Sequence, residues 1–116
     1  MDRETRRAVA RARRRLDRLD LYPRPVGTRY LRVLVVPWLF RLPWFRRFDG
    51  YSAHGTILLR RPLAPDDDDL LTHELCHVWQ MQHHPIAMPF SYVARGYAAN
   101  PYEAEAARAV ELPRPG

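Results

Sequence analysis

The sequence predicts a small α+β protein, and three observations predict it. An arginine-rich stretch with helical apolar spacing opens the chain, segments of strand-forming residues fill its middle, and two helical stretches with recognisable starts follow. At 116 residues, the length suits one compact domain spanning positions 1–116. With 47% apolar and 28% charged residues, the composition is that of a chain that folds around a core rather than a disordered one.

The first element covers residues 1–20, where strong helix formers run without Gly or Pro and Val9, Ala12, Leu16 and Leu19 recur at helical spacing. Its outer face is dense in arginine. Prolines 23 and 25 stop it, because proline disfavours helix in the residue before it and lacks a donor. Strands are expected within residues 30–61, first at 30–36 and then at 51–61, where Gly55 marks a bulge or a close backbone approach. Between them, residues 37–45 are rich in aromatics and prolines, and core packing is expected there in preference to a membrane-surface or docking patch. A helix over residues 66–83 follows, with Asp66 as N-cap and further aspartates in its first turn, ending before Pro85. The last helix spans residues 100–112, opened by Asn100 as cap and Pro101 at the first helical position.

Charge divides the chain. Residues 1–61 carry sixteen arginines against five acids, whereas residues 62–116 carry three against eight, which gives a basic and an acidic half within a net +6. All 19 basic residues are arginine, and with 11 prolines this points to coding bias, so nucleic acid is not the expected partner. The single cysteine, Cys76, excludes an intrachain disulfide and any multi-cysteine zinc site. No apolar run reaches the ~20 residues of a membrane span and the amino terminus carries no secretory stretch, so a soluble, cytoplasmic protein is expected.

The helix at 66–83 contains His73-Glu74-Leu75-Cys76-His77, an HExxH motif. Residues four apart lie about 40° apart around a helix, so both imidazoles face one metal ion, with Glu74 beside them. A shuffle of this composition produces the motif roughly once in a hundred chains. Glu74 is the expected general base, taking a proton from a metal-activated water that attacks a carbonyl. Cys76 and Trp79 turn away from that face and are expected to pack.

Two residues compete to be the third ligand. His83 stands where an HExxHxxGxxH pattern places its last histidine, but Gln80 replaces the glycine that lets the chain turn back. Glu103 heads the small apolar stripe Ala106, Ala107 and Val110 of the last helix, where a buried carboxylate needs a cation or strong hydrogen bonds. The same Glu103 could instead fold back onto the Asn100 backbone as a capping box. Glu105 is expected on the solvent side, paired with Arg108.

The segment from His73 through Gln80, followed by Glu103 in Glu-x-x-Ala, resembles the gluzincin clan of zinc metallopeptidases, most of all the small single-domain minigluzincins. The resemblance is firm over residues 51–110. It implies a zincin-like fold, with a small, mostly antiparallel sheet, an HExxH helix below its edge, and a C-terminal helix carrying the third ligand. It implies one Zn2+ held by His73, His77 and Glu103, and a strand near His54, Gly55 and Thr56 that binds an extended peptide or protein substrate. Family members often buttress the site with an aspartate at the position of Ala107, and small members can be covered by an amino-terminal segment. Candidates for oxyanion stabilisation are His54, His83, His84, Tyr97 and Tyr102. The expected function is peptide-bond hydrolysis on basic sequences; the alternative is a non-catalytic or latent zinc-bearing module that docks through the arginine-rich face.

Overall fold

The structure, a computed structural model, describes residues 2–19, 21–53, 55–85, 87–88, 91 and 100–111. Its first helix, α1 (Arg3–Asp17), starts where the Asp2 carboxylate accepts the Thr5 N–H at 2.7 Å. Ala8, Val9, Ala12 and Leu16 form its buried stripe. Three short strands follow: β1 (Arg32–Val35), β2 (Gly50–Ala53) and β3 (Thr56–Leu59), in the sheet order β1-β3-β2.

β3 pairs antiparallel with β2 and parallel with β1, so the sheet is mixed rather than mostly antiparallel. The segment expected as one strand over residues 51–61 is a hairpin. Ala53 pairs with Thr56, and Gly55 sits at φ 70°. Only glycine enters that region without steric cost, so Gly55 marks the turn and not a bulge. Strand formers on both sides of a tight turn read as one continuous run.

Helix α2 (Asp68–His83) is the centre of the molecule. α1 packs along one side, β2 and β3 cover a second, and the third takes α3 (Pro101–Glu111). Leu16, Ile57, Leu59, Leu71, Leu75, Val78, Trp79, Ala106 and Ala109 meet in the resulting core. The Trp79 indole N–H donates to the Arg24 carbonyl at 2.7 Å, which satisfies its one polar atom.

The start of α2 differs from expectation. Asp67, not Asp66, occupies the N-cap position, and its carboxylate accepts the Ala64 N–H at 2.8 Å instead of a helical one. The next two aspartates bind α1: Arg11 grips Asp68 with two hydrogen bonds of 3.0 and 3.1 Å, and Arg15 reaches Asp69 at 2.7 Å. The basic and acidic halves of the chain are thus in contact, and two of the arginines of α1 are committed to packing.

The aromatic segment is only partly core. Phe40 is buried and Phe45 packs edge-on to Tyr51 with ring centroids 5.1 Å apart, but Trp38 and Trp44 are 63% and 81% exposed. Successive i→i+3 turns hold this segment, and Arg60 reaches under it to donate to the carbonyls of Phe48, at 3.0 and 2.6 Å, and Arg46. No helix among the described residues is long and apolar enough to cross a membrane. Arg60→Met leaves those carbonyls without their charged donor and is expected to cost on the order of 2 kcal/mol. Trp44→Ser should stay within about 0.5 kcal/mol of wild type. Urea unfolding of the two variants checks both values.

Candidate metal centre

Helical spacing sets the first two side chains. His73 and His77 stand one turn apart on α2, their rings 4.8 Å apart and nearly perpendicular. α3 brings the third: Glu103 Oε1 lies 2.7 Å from His73 Nε2, and Glu103 Oε2 lies 3.0 Å from His77 Nε2. The capping-box alternative for Glu103 gives way to these contacts, while Asn100 caps α3 on its own, accepting the Tyr102 N–H at 2.9 Å. Donor atoms of His73, His77 and Glu103 all lie within 4.8 Å of one another, a group that could hold a metal ion.

The chemistry of the donors fits a cation. The two Nε2 atoms are 3.2 Å apart. Two nitrogens bound to tetrahedral zinc at roughly 2.0–2.1 Å stand about 3.3 Å apart. His77 Nδ1 lies 2.7 Å from Gln80 Oε1, and with its proton donated there, His77 Nε2 presents a bare lone pair to Glu103 and His73. Lone pairs that face a common point repel unless a positive charge lies between them.

Glu74 is beside this group and 6% exposed. The Ser52 hydroxyl donates to Glu74 Oε2 at 2.7 Å and lies 2.8 Å from the Glu74 carbonyl oxygen, which ties the carboxylate to β2. Gly50, two residues earlier on the same face of β2, admits the Glu74 side chain: a Cβ there would stand 3.2 Å from Glu74 Cγ. Burial pushes the Glu74 carboxyl up, against the opposing pull of His77, the Ser52 hydroxyl and His73. Burial acts the same way on Glu103, but the adjacent His73 and His77 imidazoles outweigh it and hold that carboxyl well below the usual range. For His77, burial favours the neutral ring, and the neighbouring Glu103 and Glu74 reverse it and raise the pKa.

A solvent-open cleft of about 400 Å³ passes over His73 and Glu74. Gly50 and Arg47 border it on one side and Ala107 and Val110 on the other. Three carboxylates, Asp49, Asp69 and Glu74, line it together with one guanidinium, Arg47. No residue of α1 lines it.

The remaining sequence candidates lie elsewhere. Gly55 is in the β2–β3 turn with open space beside it, and Thr56 begins β3; neither lines the cleft. His54 and Tyr97 lie outside the described residues. His83 stacks on Tyr22 at 4.9 Å and its Nδ1 lies 3.2 Å from the Trp79 carbonyl, away from the His73–His77 face. His84 packs against Tyr22 and Tyr102. Glu105, expected in a surface pair with Arg108, is instead half-buried and accepts hydrogen bonds from Tyr22 at 2.5 Å and Gln80 at 3.1 Å. No motif or spacing in the sequence marks Ser52, Gly50 or Gln80 as functional. Gly50 and Ser52 share the alternating face of one strand, a signal visible once that strand is known to be the one over α2.

No protein-family model, curated protein or solved structure matches this chain.

Equilibrium dialysis should find about one zinc per chain, and His77→Ala or Glu103→Ala should weaken binding by more than the roughly 100-fold that loss of a supporting residue costs. Cys76 is fully buried and its thiol is pushed up to about 12 by burial, from 9.0. A folded-state pKa above the unfolded one makes stability fall as pH rises from about 9 towards 12. Thiol reagents at pH 8 should therefore label Cys76 only on the timescale of unfolding, read by mass spectrometry.

Proposed function

We propose that the chain is a zinc-dependent peptidase, with His73, His77 and Glu103 as ligands and Glu74 as general base. The observation that carries this reading is the buried Glu74 carboxylate beside a His-His-Glu donor group, with Glu74 and His73 both lining an open cleft. Three protein donors of this kind leave a coordination position for substrate or solvent, whereas structural zinc sites are closed by four, usually with cysteine. Cys76 is buried in the core on another face. The resemblance to the gluzincins points the same way.

Zinc bound there supplies polarisation of a carbonyl and a more acidic water. Glu74 accepts a proton and then delivers it to the leaving amine, and a carboxyl pushed up by burial suits a group that must do both. Ser52 holds Glu74 Oε2, which fixes the carboxylate plane. Gly50, which also lines the cleft, makes room for the Glu74 side chain against β2, since a Cβ there would stand 3.2 Å from Glu74 Cγ.

The test uses zinc-loaded protein and a mixture of unfolded peptides, with products identified by mass spectrometry. Glu74→Gln should keep the zinc and lose between about 10²- and 10⁴-fold in rate. Equal rates for the two proteins remove Glu74 from the base role. A zinc-bound wild type that cleaves no peptide bond makes the metal structural and overturns the reading.

A further inference from the structure

Gln80 is polar, central in α2 and completely buried. A primary amide in that position must have its groups satisfied, and the partners fix which way it points. Gln80 Nε2 donates to the Tyr102 carbonyl at 2.8 Å and to Glu105 Oε1 at 3.1 Å. A main-chain carbonyl can only accept, so the NH2 end of Gln80 belongs on that side and the oxygen end belongs on the other. Gln80 Oε1 then faces His77 Nδ1 at 2.7 Å, and an amide oxygen can only accept. His77 Nδ1 must carry the proton, and its Nε2 is the nitrogen left to face His73 and Glu103.

The chain of constraint continues outward. Glu105 Oε1 accepts the Tyr22 hydroxyl at 2.5 Å as well as the Gln80 amide. Tyr22, from the segment after α1, is itself fixed by stacking on His83 and by an edge contact with Trp79 at 5.2 Å. A line of hydrogen bonds through three separate parts of the chain, Tyr22 to Glu105 to Gln80, thus ends on one imidazole nitrogen.

We infer that Gln80, Glu105 and Tyr22 are positioning residues of the metal centre: they hold His77 in the Nδ1-protonated tautomer and so keep Nε2 available as a ligand. The inference rests on the metal-binding reading of His73, His77 and Glu103, but not on catalysis. It assigns the segment after α1 a role at the site through Tyr22, although α1 lines no part of the cleft.

The experiment measures zinc affinity of the full chain by competition with a chromogenic chelator, alongside the melting temperature of the metal-free protein. Gln80→Leu should weaken zinc by about 10- to 100-fold. Glu105→Ala and Tyr22→Phe should weaken it several-fold. Gln82→Leu is the structural control, because among the described residues Gln82 bonds only the Gly27 backbone, at 2.8 Å in both directions; it should lower the melting temperature and leave zinc affinity unchanged. In zinc-loaded wild type, the His77 Nδ1 proton should give an exchange-protected downfield NMR signal that Gln80→Leu abolishes and Tyr22→Phe shifts. Should Gln80→Leu fail to fold, Tyr22→Phe, which removes one oxygen, decides the matter by the same two readouts. Unchanged zinc affinity together with an unchanged signal overturns the positioning role while leaving the metal site standing. A wild type that binds no zinc overturns both.

Discussion

Electron-pair donors that point at one another do not attract, and the site in this protein is built from three of them. His73, His77 and Glu103 sit within bonding reach of a common point, two from one helix and one from another. Their mutual approach is supplied by the burial of apolar surface around α2, since Ala106 and Ala109 of α3 pack into the same core as Leu71, Leu75 and Val78. The small side chains matter, because alanine lets two helices approach closely enough for a short carboxylate to span the gap. A cation between the donors would replace repulsion with attraction, so core packing and ion binding would favour the same arrangement.

α2 has no idle face. Its start is tied to α1 by Arg11–Asp68 and Arg15–Asp69, one flank supports the sheet, and another receives α3. Exposed ion pairs of this kind are each worth about 0–1 kcal/mol. Their contribution is orientation: Arg15 also donates to the Val110 carbonyl at 2.7 Å, linking α1 to α2 and α3 at once. The acidic run before the motif serves this docking, and the arginines of α1 owe part of their spacing to it.

The site is also asymmetric in its support. Ala107 of α3 offers no polar group to the site and lines the cleft. Support for His77 comes from within its own helix, from Gln80 one turn further on, and through it from Glu105 and Tyr22. On the other side Ser52 and Gly50 of β2 hold and admit Glu74. Such contacts join Tyr22, Gln80 and Glu105 on one side and Ser52 and Glu74 on the other, and no local periodicity links positions so far apart.

The sequence by itself determined what depends on neighbours along the chain. The spacing of His73 and His77 forces their side chains onto one face, the apolar stripe of α1 follows from its repeat, and Asn100-Pro101 opens α3, because each is decided within a turn or two of helix. Tertiary structure decided what depends on who packs against whom. It turned Glu103 to the imidazoles rather than to its own cap, drew Glu105 inward from its expected surface pairing, and left Trp38 and Trp44 outside while Phe40 went in. It also paired β2 with β3 as an antiparallel hairpin and set β1 parallel to β3, a mixed sheet that the composition could not reveal. A side chain's rotamer and its hydrogen-bond partner are chosen by competition among distant groups, and that competition has no expression in the order of residues until the core has formed.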